Sequence, residues 1–355
     1  MSYSPTDKPT DFFNSVIYTG NGSSPRSITG VGFQPDLIWF KNRTSAGYFH
    51  ELYDFIRGVR KPIYSNSTNA EGTTTASLES FDSDGFSVDS EDASGEGVNK
   101  NGDNYVAWNW LAANTTASNT DGSITSTVSA NTTAGFSIVS YTGNATSGAT
   151  VGHGLNQTPE FILTKNRIDG TSSWGGYHVG IDATAPEDYV IQLDGTGAKI
   201  DVSTAWNDTA PTSSVVTLGN AAYTNGSSQG IIMYCFHSVK GYSKFGSYTG
   251  NGSTDGTFIY TGFKPAMVII KASSAVADWY ILDNKRDPEN VVEAALRPNL
   301  SNAESTTIND TDFLSNGFKT RSTSGSTNGS GTTYIYMAFA ENPLVTTGKI
   351  PATAR

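Results

Sequence analysis

The sequence predicts an all-β protein of three tandem, antiparallel, jelly-roll-like β-sandwiches, on three observations. One pattern recurs three times along the 355 residues. The apolar segments are short and rich in Val, Ile, Phe, Tyr and Trp, as strands are. Gly, Ser, Thr and Asn fill the stretches between them and together make 150 of the 355 residues. This is turn chemistry, with 11% aromatic residues left to build cores.

The repeat begins with Tyr-Thr-Gly-Asn, at Tyr18–Asn21, Tyr141–Asn144 and Tyr248–Asn251. A proline follows each tyrosine by 17, 18 and 17 residues (Pro35, Pro159, Pro265). A lysine stands six residues beyond each proline, at Lys41, Lys165 and Lys271, with an apolar strand between. Each copy closes on an apolar hexapeptide with an aromatic end: Tyr105–Trp110, Ile231–Phe236 and Tyr334–Phe339. Copies one and three also share Asp54-x-x-Arg57 with Asp283-x-x-Arg286, and Asn69-Ala-Glu71 with Asn302-Ala-Glu304. Copy two lacks both elements. A period near 100 residues gives each copy enough chain for its own core, unlike a solenoid repeat.

The chain then divides in order. Residues 1–11, with Pro5 and Pro9, form an N-terminal arm suited to docking on a partner. Repeats occupy 12–111, 135–237 and 242–343. Residues 112–134 read as a Ser/Thr/Asn-rich linker with a short strand near Ile124–Val128, and 344–355 as a C-terminal tail. The join 238–241 is so short that repeats two and three should lie close together. Asn-Gly pairs at 21, 101, 225, 251 and 328 predict type I′ hairpins, in which both central residues have positive φ. Pro288–Arg297 holds helix formers before Pro298, although Val291 and Val292 suit a strand equally.

Chemistry is sparse. A net charge of −11 argues against a phosphate-binding surface, so no nucleic-acid partner is expected. A lone cysteine, Cys235, excludes an intramolecular disulfide and a Cys-rich zinc site. No apolar run nears the roughly 20 residues of a membrane helix, and no signal peptide is visible. His50, His153, His178 and His237 have no metal-ligand spacing, and His153 reads as a turn residue. Asp54 with Glu71, and Asp283 with Glu304, could be glycosidase pairs, but the arginine three residues after each aspartate makes structural ion pairs Asp54–Arg57 and Asp283–Arg286 the simpler reading. The acidic cluster Asp82, Asp84, Asp89, Glu91 and Asp92 reads as a solvated turn rather than a calcium site. Trp174 and Trp279, nine and eight residues after their lysines, are the candidate glycan-stacking faces; the alternative is that both point inward. Lys41, Lys165 and Lys271 are expected to snorkel at a sandwich rim. Sequons such as Asn66, Asn144 and Asn299 follow from composition. No catalytic residue, metal or cofactor is expected.

Several motifs together resemble a repeated domain of tailed-bacteriophage virion proteins, familiar from phages of marine bacteria and cyanobacteria. They are Tyr248-Thr-Gly-Asn-Gly, Gly262-Phe-Lys-Pro, Trp279–Arg286, Leu314-Ser-Asn-Gly-Phe318 and Tyr334–Glu341, and the resemblance covers about Phe12 to Pro343. It implies a non-enzymatic, β-rich virion surface protein of tail-fibre type, assembled in the host cytoplasm and attaching to cell-surface glycan. A capsid decoration or head-fibre protein is the alternative, and a polysaccharide-degrading tail enzyme a second. Partners would be other virion proteins, host polysaccharide and further copies of the chain, a trimer by analogy. Tandem sandwiches would form an elongated, stiff module.

Overall fold

The computed structural model describes residues 4–6, 8–75, 77–90, 97–306, 311–346 and 351. Repeat 1 contains β1 (Phe13–Thr19), β2 (Arg26–Thr29), β3 (Leu37–Asn42), β4 (Glu51–Asp54), β5 (Ile63–Tyr64), β6 (Leu78–Asp82), β7 (Gly85–Val88) and β8 (Asn104–Trp110). Its large sheet runs β1-β8-β3-β4-β5 and its small sheet β2-β7-β6. Next come β9 (Ala117–Asn119), β10 (Ser126–Asn131), β11 (Phe136–Thr142), β12 (Ala149–Gly152), β13 (Phe161–Asn166), β14 (Gly175–His178), β15 (Tyr189–Gln192), β16 (Ile200–Asp201), β17 (Val215–Leu218) and β18 (Gly230–Phe236). They build a large sheet β16-β15-β14-β13-β18-β11-β10-β9 over the pair β12-β17. Repeat 3 has β19 (Ser243–Thr249), β20 (Phe258–Tyr260), β21 (Phe263–Ala272), β22 (Trp279–Asp283), β23 (Thr311–Leu314), β24 (Gly317–Thr320) and β25 (Thr333–Pro343). Its sheets run β19-β25-β21-β22 and β20-β24-β23. All named pairings are antiparallel, and the first strand of each repeat lies beside its last.

The large sheets are buried on both faces, which explains why their strands are continuous apolar runs rather than alternating ones. In β3, Ile38 and Phe40 face the small sheet of repeat 1, while Leu37 and Trp39 face the other two repeats. In β13, Phe161 and Leu163 join the same shared core and Ile162 stays within repeat 2. In β21, Met267 and Ile269 do so, with Val268 and Ile270 kept inside repeat 3. One central core therefore draws on all three repeats, and each sandwich keeps its own core outside it.

The closing aromatics of the hexapeptides meet in the centre. Trp110, Phe236 and Phe339 contact each other pairwise, with ring centroids 6.5 Å (110–236), 5.6 Å (110–339) and 6.0 Å (236–339) apart. Equivalent residues from three copies in mutual contact define a pseudo-threefold axis. The repeats thus close into a ring instead of the elongated module expected, because each large sheet has a second apolar face that a linear array would leave in water.

The Tyr-Thr-Gly motif is a clamp inside each sandwich. Tyr18, Tyr141 and Tyr248 each donate an Oη hydrogen bond of 2.6 Å to a carbonyl: Val98, Thr224 and Thr327. The Oδ1 atoms of the neighbouring Asn99, Asn225 and Asn328 accept from the backbone N–H of Asn21, Asn144 and Asn251. The glycine between must be glycine. A Cβ on Gly20, Gly143 or Gly250 would lie 2.0, 2.4 or 2.4 Å from a backbone oxygen of the facing turn.

Several expectations are corrected. The Asn-Gly pairs do not form type I′ turns, since none of the five asparagines has positive φ. Asn21 and Asn251 instead accept from the backbone N–H two residues on, and Asn225 and Asn328 are buried clamps. The segment 112–134 is not a plain linker: β10 pairs on β11 and β9 on β10, which extends the large sheet of repeat 2. Pro288–Arg297 is extended, with bridges Val292–Thr311, Ala295–Ser305 and Leu296–Ile281, because Val292, Ala295 and Leu296 are all needed in cores. In the N-terminal arm, Ser4 is buried and its Oγ donates to the Thr6 and Lys240 carbonyls, so these residues lie on the chain itself.

Candidate functional site: the seams between repeats

The residues that mark the repeat in sequence gather where one repeat meets the next. Lys41, Lys165 and Lys271 are at most 1% exposed, so they do not snorkel at a rim. Each ammonium donates to a carbonyl of its own repeat and to one of the preceding repeat around the ring. Lys165 reaches Ser172 (2.8 Å) and Thr68 of repeat 1 (2.7 Å). Lys271 reaches Ala272 (2.8 Å) and Thr196 of repeat 2 (3.2 Å). Lys41 reaches Tyr48 and closes the ring on Ser301 of repeat 3 (3.2 Å). Burial lowers all three to a pKa of about 8, partly offset by nearby carboxylates.

Trp174 and Trp279 are 0% and 1% exposed and offer no face to a sugar. Their indole N–H groups cross the seams instead, Trp174 to the Tyr64 carbonyl of repeat 1 (2.8 Å) and Trp279 to Gln192 of repeat 2 (2.9 Å). Strand register places His50 at the matching position of repeat 1, buried against Trp39 and Trp108. Its Nδ1 accepts from Trp39 Nε1 (3.0 Å), and burial, then the charge of Lys41, hold it well below the ordinary histidine range.

The Asp-x-x-Arg and Asn-Ala-Glu elements form one network at two of the three seams. Between repeats 1 and 2, Arg57 binds Asp54 (2.5 Å) and Glu71 (3.2 Å), and Arg167 of repeat 2 binds Glu71 through both Nε and Nη2 (2.8 and 2.9 Å). Between repeats 3 and 1, Arg286 binds Asp283 (2.6 Å) and Glu304 (2.8 Å), with Arg43 of repeat 1 on Glu304 (2.9 and 2.8 Å). Each aspartate also accepts from the following repeat: Tyr234 Oη on Asp54 (2.7 Å) and Trp108 Nε1 on Asp283 (2.9 Å). Burial raises Glu71 and Glu304, but their arginine partners outweigh it and leave both below the usual carboxylate range. Burial alone would lower Arg57 and Arg286, yet Asp54 and Asp283 hold both above it. The paired carboxylates considered for glycoside chemistry are therefore ligands of one shared arginine.

The third seam shows why copy two lacks these elements. His178 occupies the aspartate position there, and the facing residue of repeat 3, equivalent to Trp108 and Tyr234, is Met337. With no donor to accept, no carboxylate is needed. His178 Nε2 donates to the Tyr336 carbonyl (3.1 Å), Nδ1 accepts from Gly180 N–H (2.9 Å), and burial lowers its pKa to about 4. Ser273 stands where the other copies have Arg43 and Arg167, and accepts from Lys199 N–H (2.8 Å). This pairing of donor with acceptor across a seam was visible in the sequence two residues before each closing aromatic, but only once the copies are taken as a ring.

The remaining candidates are local. His153 is a buried turn residue whose Nε2 donates to Thr212 O (3.2 Å) and whose Nδ1 accepts from Leu155 N–H (3.2 Å). Asp82 accepts from Ser80 and Ser87, Asp84 from Gly30 and Gly32, and Asp89 from Ser24 and Arg60, each in a different place. Glu91 and Asp92 lie outside the described residues. Among the described residues no three His, Cys, Asp or Glu side chains gather as a metal site, and no helix is long and apolar enough to cross a membrane.

Residues 8–343 match a family described as a domain of unknown function, DUF7483. The chain belongs to that family. Its match spans all three repeats of this chain. No curated protein and no solved structure matches the chain.

Proposed function

We propose that this DUF7483 protein is a non-enzymatic virion surface component of tail-fibre type that attaches to host cells through surface glycan. The observation that carries the reading is where the shared residues go. The motifs that resemble phage virion proteins are spent on sandwich clamps, seams and the central aromatic cluster, which makes a rigid frame. The stretches that differ between copies are free to become exposed loops, the usual place for recognition on a rigid scaffold. A low-charge surface of Ser, Thr and Asn suits hydrogen bonding to hydroxyl groups and is insensitive to salt. The shared arginine on each candidate acid pair takes away the support for a polysaccharide-degrading enzyme.

Adsorption tests this reading. Purified, labelled protein should bind cells of the bacterium on which the particle grows, and excess protein should slow adsorption of the particles themselves. No binding to cells, with antibody labelling the capsid instead of the tail in electron micrographs, would replace it with a structural role in the head.

A further inference from the structure

Repeat 3 carries three polar residues that the other copies lack, and they gather at one point of the closing seam. Lys264 stands just before the proline of the repeat, where the other copies have Gln34 and Thr158. Asn284 follows the aspartate, at the place of Phe55 and Val179. Glu341 lies two residues past the closing aromatic, at the place of Ala112 and Ser238. The fold of a repeat therefore needs none of the three.

Strand geometry brings them together. β21 lies between β22 and β25 in its sheet, and the three residues sit at the same end of those strands. Asn284 N–H donates to the Ala266 carbonyl (2.9 Å), so Lys264 is its diagonal neighbour, within reach of a long side chain. Lys264 pairs with Asn342 and Pro265 with Ala340, which leaves Glu341 as the extra residue of a β-bulge. Bulges re-aim side chains. Here one carboxylate oxygen, Glu341 Oε2, accepts from Asn284 Nδ2 (2.8 Å) and pairs with Lys264 Nζ (3.4 Å). Lys264 and Asn284 are 8% and 7% exposed, and Asn284 Oδ1 is closed to solvent.

An amine, a carboxamide and a carboxylate that holds both, shielded from water, are the groups that a self-made amide cross-link requires. Glu341 takes a proton from the Lys264 ammonium, since a nucleophilic amine must be neutral. The freed Nζ attacks Asn284 Cγ, whose burial keeps water from competing. The Nζ–Cγ bond forms and the Cγ–Nδ2 bond breaks. Two protons pass from Nζ to the departing nitrogen, relayed by Glu341, and it leaves as ammonium. Glu341 ends as the carboxylate it began, and no co-reactant is consumed.

We propose that Lys264 and Asn284 join in an intramolecular isopeptide bond, with Glu341 relaying the protons. The bond closes a covalent loop round the β21–β22 hairpin, at the seam that no chain segment spans, and it is independent of what the surface binds. Intact-mass spectrometry of the full chain tests it. Folded wild-type protein, denatured only for the measurement, should be lighter than its sequence by one molecule of ammonia, about 17 Da. Protease digestion should then yield a joined peptide that contains both residues. Lys264→Arg keeps a positive charge opposite Glu341 but offers no amine, and should restore the sequence mass. Glu341→Gln should restore it too, and circular dichroism checks that both variants fold. Should either unfold, the wild-type mass and the joined peptide decide alone. A wild type that keeps its sequence mass after prolonged incubation overturns the proposal. So does a loss of ammonia that persists in Lys264→Arg, as a succinimide at an Asn-Gly pair would. A joined peptide that forms equally in Glu341→Gln overturns the part given to the carboxylate.

Discussion

At the scale of single residues, Asp283 is the most exacting position. It holds Arg286 and receives the Trp108 N–H, and neither it nor the arginine side chain is exposed. Removing one partner of a buried ion pair leaves the other charge uncompensated. Asp283→Ala is expected to lower unfolding free energy by about 3–5 kcal/mol in urea titrations, whereas exposed Lys8→Ala should leave it within about 0.5 kcal/mol. The three buried lysines set a pH dependence. With folded values near 8 against the ordinary 10.5, the folded state binds fewer protons than the unfolded chain across that window. Stability should therefore rise from pH 8 toward 10, by up to ~1.4 kcal/mol per pH unit for each lysine. Above about 10 it should turn down, because Tyr141, Tyr234 and Tyr248 are raised by burial and keep protons that unfolded tyrosines lose. Lys165→Met should flatten the rising limb by about a third, measured by urea midpoints across pH. The spacing of these lysines was legible in the sequence; their burial was not, because the carbonyls that receive them belong to another repeat.

At the scale of elements, the strands were legible wherever the apolar residues are β-branched or aromatic, as in Phe136–Tyr141 and Tyr334–Phe339. The elements that escaped depend on partners distant in sequence. β9 and β10 are polar, three of nine residues being buried, and exist because β11 offers an edge. Pro288–Arg297 carries helix formers but is drawn out by Ile281 and Thr311. The Tyr-Thr-Gly clamp makes its own prediction. Tyr141→Phe deletes the bond to Thr224 inside a core and should cost about 1–3 kcal/mol in chemical unfolding. Gly143→Ala should cost at least as much, since a methyl 2.4 Å from the Gly226 carbonyl must displace backbone.

At the scale of the molecule, the sequence revealed three copies but not how they are arranged, since a closed ring and a linear array demand the same strands. The information lay in the second apolar face of each large sheet: Leu37 and Trp39, Phe161 and Leu163, Met267 and Ile269. A single repeat leaves that face in water, so residues 242–343 expressed alone should lack cooperative unfolding and bind hydrophobic dye. Trp110→Ala, which empties the axis, should cost about 3–5 kcal/mol and loosen all three repeats together. Small-angle X-ray scattering of the monomeric chain tests the ring most directly. A compact 355-residue body has a radius of gyration of about 20 Å, and that value is expected. Three sandwiches in line would give roughly 30 Å, and such a result would contradict the ring.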